Sequence, residues 1–83
     1  MHLEIITPDK TVFEGEVDIA TFPGSKGSFQ VLKNHVALIS SLDKGKVIYK
    51  IKDKEQVIVI NGGVVEVLNN NIVLLAEEII AEE

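Results

Sequence analysis

No apolar run in this chain exceeds five residues, and Gly, Asn, Asp and Pro recur between the runs. Stretches so short cannot supply the apolar stripe of a packed helix, which takes about ten residues or more. They can supply strands. Residues 2–7 alternate, with Leu3 and Ile5 on one side and His2 and Glu4 on the other, until Pro8 and Asp9 interrupt; proline has no N–H to give to a ladder. Residues 11–14 resume the pattern and Gly15 permits a bend or bulge. Residues 16–22 alternate again, with Val17, Ile19 and Thr21 opposite Asp18 and Ala20.

The same reading carries to the end of the chain. Residues 23–27 turn, residues 29–32 and 36–42 are extended, and Asp43-Lys44-Gly45 predicts a tight reversal. Its hairpin partner is residues 46–52, with Val47, Tyr49 and Ile51 facing one way. Residues 56–60 form a buried strand, and residues 64–68 are its companion across Asn61-Gly62-Gly63. Asn69-Asn70-Asn71 makes a turn because asparagine accepts left-handed backbone angles. Residues 72–76 are extended, and residues 77–80 continue that strand or fray, since the acidic end is too short for an independently stable helix. The prediction is one all-β domain, a sandwich or barrel of short strands.

Composition narrows the partners. Hydrophobic residues make up 46% of the chain and aromatics 5%, so the core is built of Val, Ile and Leu, the β-branched of which favour strands. With 83 residues the fold buries roughly 60 to 65% of the surface of the unfolded chain, and every apolar strand face is needed. Thirteen acidic against eight basic residues give a net charge of −5, which leaves no basic stripe to neutralise a nucleic-acid backbone. The absence of cysteine fits a reducing compartment. Met1-His2-Leu3-Glu4 has neither the basic nor the apolar region of a signal peptide. No run approaches the roughly 20 residues needed to span a bilayer, so the expectation is a cytoplasmic protein that meets a membrane only through another protein.

The inventory of reactive groups is thin. Gly24-Ser25-Lys26-Gly27-Ser28 invites comparison with a phosphate loop, but the glycines are too close, the lysine precedes the second glycine, and a strand follows where a helix is required. His2 and His35 are the only imidazoles and have no cysteine or second histidine at ligand spacing. Ser28, Ser40 and Ser41 sit in no nucleophile context. Gly62-Gly63 reads as a turn or bulge, or else as a place where another backbone comes close. No catalytic, metal-binding or cofactor-binding residue is expected.

Taken in order, five segments carry a resemblance: Val12-Phe13-Glu14-Gly15; the stretch Pro23-Gly24-Ser25-Lys26-Gly27-Ser28-Phe29-Gln30-Val31-Leu32-Lys33-Asn34-His35; Leu42-Asp43-Lys44-Gly45-Lys46-Val47; Asn61-Gly62-Gly63-Val64-Val65-Glu66-Val67; and Asn71-Ile72-Val73-Leu74-Leu75-Ala76. Together they resemble the epsilon subunit of the F-type ATP synthase, called delta in mitochondria. The resemblance implies a flattened antiparallel β-sandwich of about ten short strands. It implies a non-catalytic rotor subunit of the central stalk that links gamma to the c ring and couples proton or sodium flow to ATP synthesis. Such a subunit has no cofactor, is a monomer when isolated, and lies peripherally on the cytoplasmic side of the inner (plasma) membrane as part of F1.

Carried over by position, the resemblance places Thr7, His35 and Ser40 against gamma, and Gly27, Ser28 and Phe29 against the c ring. Lys33-Asn34-His35-Val36-Ala37 keeps the histidine of the family's Pro-Gly-His-Ala-Pro stretch but not its prolines or glycine, so a different loop path is expected there. Family members continue into a pair of helices that can inhibit ATP hydrolysis. Residues 1–83 are expected to be a single sandwich domain without that C-terminal two-helix domain. The alternative reading is a free-standing β-sandwich that binds a small ligand or peptide through the loop after Phe22.

Overall fold

The computed structural model describes all 83 residues and contains ten strands and no helix. In chain order they are β1 (His2–Ile6), β2 (Thr11–Glu16), β3 (Ile19–Gly24), β4 (Gly27–Val31), β5 (Leu38–Leu42), β6 (Gly45–Ile51), β7 (Lys54–Ile60), β8 (Gly63–Leu68), β9 (Asn71–Ala76) and β10 (Ile79–Glu82). They join into one curled sheet in the order β10-β7-β6-β3-β5-β8-β9-β1-β2, with β4 paired to β3 off this path. Every pair is antiparallel except β1 and β9, which run parallel from His2 beside Asn71 to Ile6 beside Leu75. That one pair departs from the all-antiparallel expectation, and it is what places the first strand inside the sheet.

Alternation decides what is inside. Leu3 and Ile5, Val47 and Tyr49, Ile58 and Ile60, Val65 and Val67, and Ile72, Leu74 and Ala76 all point into one core of sixteen buried residues. No polar or charged side chain other than the Tyr49 phenol is buried with them. The curl brings edge strand β2 across to β6, where the Phe13 and Tyr49 rings stack with centroids 4.7 Å apart. Burial, helped by the negative charge of Glu82, raises the Tyr49 hydroxyl above its ordinary 10.0.

Gly15 does not break the chain as expected. It lies within β2 opposite Leu3, and the ring of Phe13 folds back over it, 3.1 Å from where a Cβ would stand. The break falls instead at Val17-Asp18, where the Asp18 carboxylate accepts the Lys52 N–H at 2.8 Å. This resets the phase of β3, so Ala20 and Phe22 are buried while Ile19 and Thr21 lie half-buried on the other side. A one-residue shift exchanges every side chain between faces.

Turn chemistry is read correctly at two of the two-residue turns, but not at Lys52-Asp53 between β6 and β7, where Lys52, expected in the strand, takes φ of 58°. Asn69 and Asn70 take φ of 50° and 62° between β8 and β9, and Ser25-Lys26 joins Gly24 to Gly27 in the β3–β4 hairpin. Asp43-Lys44 does not join a hairpin. β6 pairs with β3 and β7, while β5 pairs with β8 and touches β3 only at Gly24 opposite Leu42. The segment after Glu77 is neither a continuation of β9 nor frayed. It crosses to the opposite edge and pairs with β7 as β10.

Both readings of Gly62-Gly63 apply, one to each residue. Gly62 has φ of 144°, a turn conformation that side chains resist. At Gly63 a methyl group would collide with the Leu75 carbonyl oxygen and stand 3.1 Å from the Ala76 Cα, both backbone. Gly63→Ala is therefore expected to lower stability by about 2 kcal/mol through overpacking, read as a lower urea midpoint at unchanged slope.

Candidate functional site

Two loops and one sheet face carry the candidate residues. The β4–β5 link is fastened to the β8–β9 turn by a reciprocal amide pair: the Asn34 N–H donates to Asn70 Oδ1 at 2.6 Å, and Asn70 Nδ2 donates to Asn34 Oδ1 at 2.9 Å. Asn34 takes φ of 65°. It stands where the resemblance has glycine, and it adopts the left-handed geometry glycine would supply. His35 follows, its backbone N–H bonded to the Leu32 carbonyl at 3.1 Å and its Nδ1 donating to the Val36 carbonyl at 2.7 Å.

The β3–β4 hairpin is held by a second polar cluster. Ser41 Oγ donates to Ser25 Oγ at 3.0 Å, and Ser25 Oγ donates to Asp43 Oδ1 at 2.9 Å. Gly27 takes φ of 125° with open space around it. Ser28 is exposed opposite Pro23. Phe29 lies opposite Phe22, ring centroids 5.7 Å apart, with its ring over Gly24.

Ser40 lines the same shallow depression as Gly27 and Phe29, so the structure groups it with the residues assigned to the c ring. Thr7 and His35 are not brought together. Thr7 follows Ile6, beside Leu75 near the end of β9, and closes its own loop by accepting the Lys10 N–H at 3.3 Å. His35 sits beside Asn69 and Asn70, where β9 begins. About one strand length, roughly 17 to 20 Å, separates them.

Between those two ends lies the outer face of β5, β8, β9 and β1, which residue-by-residue reasoning missed. Ladder register sets Ser41, Val64, Leu75 and Ile6 in one row, and Ile39, Glu66, Val73, Glu4 and Glu14 in the next. Ile39 is 73% exposed, Leu75 52% and Val64 42%. The signal was present in the doublets Val64-Val65 and Leu74-Leu75, because adjacent apolar residues in a strand must face opposite ways. No group of three or more His, Cys, Asp or Glu side chains is arranged to hold a metal ion.

At the far end of this face His2 bonds two carboxylates, Nδ1 to Glu16 and Nε2 to Glu14, each at 3.1 Å. The Glu16 bond first, then the Glu14 bond, raises the His2 pKa above 6.5, and the His2 bond holds Glu16 below 4.5.

Residues 1–82 match the family described as ATP synthase, Delta/Epsilon chain, beta-sandwich domain. The chain belongs to this delta/epsilon family. It is 42% identical over 77 residues to an ATP synthase epsilon chain of Nitratidesulfovibrio vulgaris, covering 93% of this chain and 58% of that one. It is 44% identical over 78 residues to the epsilon chain of Chlorobaculum tepidum, covering 93% of this chain and 89% of the relative. The chain thus spans a little over half of the first relative and most of the second. Its delta/epsilon fold also superposes on a chain of the Euglena gracilis mitochondrial ATP synthase, solved as OSCP/F1/c-ring, with TM-score 0.88, 22% identity, and coverage of 94% of this chain and 51% of that one. A chain of the Tetrahymena thermophila mitochondrial ATP synthase central stalk/c-ring gives 0.79 at 19% identity, covering 94% and 63%.

Asn70→Gly keeps the turn geometry of this delta/epsilon domain but removes both amide bonds to Asn34. It is expected to lower stability by about 1 kcal/mol and to shift the His35 ring resonances, read by denaturant titration and by NMR.

Proposed function

We propose that the chain is a non-catalytic subunit of the rotor of an F-type ATP synthase, linking gamma to the c ring and coupling ion flow to ATP synthesis. The observation that carries this reading is the family match over residues 1–82, in which the relatives are ATP synthase epsilon chains. The exposed apolar side chains Ile39, Val64 and Leu75, from two neighbouring rows of one face, supply the surface for gamma, since exposed apolar area on a small soluble domain marks a partner contact. A partner that reaches both Thr7 and His35 lies over that face. The β3–β4 hairpin, with Gly27, Ser28 and Phe29, is the c-ring contact, and Ser40 stands between the two regions. In this role the subunit is peripheral, on the cytoplasmic side of the inner (plasma) membrane as part of F1.

The lack of cysteine makes a direct test convenient. Purified gamma is expected to bind the chain as it binds a known epsilon chain, and Ile39→Glu is expected to weaken that binding about tenfold or more, the cost of burying an unpaired charge at an apolar contact. With single cysteines introduced, Ser28→Cys is expected to cross-link to a c subunit and Thr7→Cys to gamma in the assembled enzyme. No binding to gamma under conditions where a known epsilon chain binds would sink the reading.

A further inference from the structure

His2 carries the one arrangement on this surface that the rotor role leaves unused. Its two ring nitrogens each meet a carboxylate oxygen at 3.1 Å, Glu16 at Nδ1 and Glu14 at Nε2. A carboxylate only accepts. Both bonds therefore exist together only when both nitrogens carry a proton, that is, when the ring is an imidazolium. A neutral ring in either tautomer keeps one bond and releases the other.

The surroundings decide which carboxylate is less well held. Glu16 also faces the Met1 ammonium at 3.5 Å, whereas Glu14 has no second cation and stands directly opposite Glu4 on β1. On the other flank β9 offers Asn71 and Val73 opposite His2 and Glu4, neither of which titrates. The charged groups around the ring are thus Glu14 and Glu16 of β2, Glu4 of β1, and the Met1 ammonium. Two positive groups hold the Glu14 and Glu16 carboxylates while the ring is charged, and one does when it is neutral. Both glutamates belong to β2, an edge strand with β1 as its only ladder partner.

We propose that His2, Glu14 and Glu16 form a proton-operated clip that fastens edge strand β2 to β1 while His2 is an imidazolium and frees the Glu14 side chain when it is neutral. Its working range has two limits. A raised His2 pKa means that the histidine contribution is fully present below pH 6.5 and is lost as pH rises through the raised value. A depressed Glu16 pKa means that its contribution is present above pH 4.5 and is lost as pH falls through the lowered value.

The test uses the intact chain and follows the His2 ring by NMR while the exchange of β2 amides is measured from about pH 6 to about pH 9. His2 is expected to titrate above 6.5 with both ring N–H protons present below that titration, and Glu14→Gln is expected to move it downwards. Once intrinsic exchange rates are allowed for, β2 protection is expected to fall about threefold as His2 deprotonates, the size of one exposed ion pair. In His2→Gln that protection should be flat with pH. A ring that titrates at or below 6.5, or β2 protection that does not change as the ring deprotonates, overturns the proposal. The wild-type titration decides the matter alone if either variant fails to fold.

Discussion

Strand β3 is shared by both halves of the sheet, and the rest of the architecture follows from that sharing. Its first residues pair with β6, its last residue meets β5, and its other edge carries β4. One lobe, β6-β7-β10, and the other, β5-β8-β9-β1-β2, therefore diverge from a single strand and fold over each other. Phe22, fully buried in the middle of β3, anchors the core at the joint. Because both lobes turn their alternating apolar side inwards, burying one set of side chains also determines which set faces the solvent.

That coupling explains which parts of the fold were legible in the sequence. A period of two can be read from neighbours alone, so Leu3 and Ile5 of β1 and Val47 and Tyr49 of β6 were found directly, while Ile51, grouped with the latter pair, ends up exposed. Two-residue turns such as Asn69-Asn70 could be read because their backbone angles are a property of the residues themselves. Pairing partners are a different kind of information. Nothing within Asp43-Lys44-Gly45 says that β5 will lie beside β8 rather than β6, since that choice is made by the burial of residues far away. The phase of β3 failed for a similar reason: Asp18 is committed to the Lys52 N–H, a partner outside any local window.

The candidate site divides in the same way. The identities of Thr7, His35, Ser40, Gly27, Ser28 and Phe29 came from resemblance, while their arrangement came from the ladder. A shared depression groups Ser40 with the hairpin, and the ladder places Thr7 and His35 at opposite ends of a face whose exposed members include Ile39, Val64 and Leu75. The residues around Asn34 show how a loop without glycine or proline can hold its shape. Asparagine accepts the positive φ that glycine would otherwise supply, and its amide finds Asn70 across the gap.

The parallel pairing of β1 with β9 also bears on the order in which this chain can assemble. His2 has its partner at Asn71, nearly the whole chain later, and β1 joins only its hairpin with β2 until β9 has been synthesised. Closing so long a loop is entropically expensive before any contact compensates for it. A topology dominated by such distant pairings belongs among the slow folders, with times of roughly milliseconds to seconds. During synthesis the residues of β1 must wait, one edge unsatisfied, until those of β9 have left the ribosome.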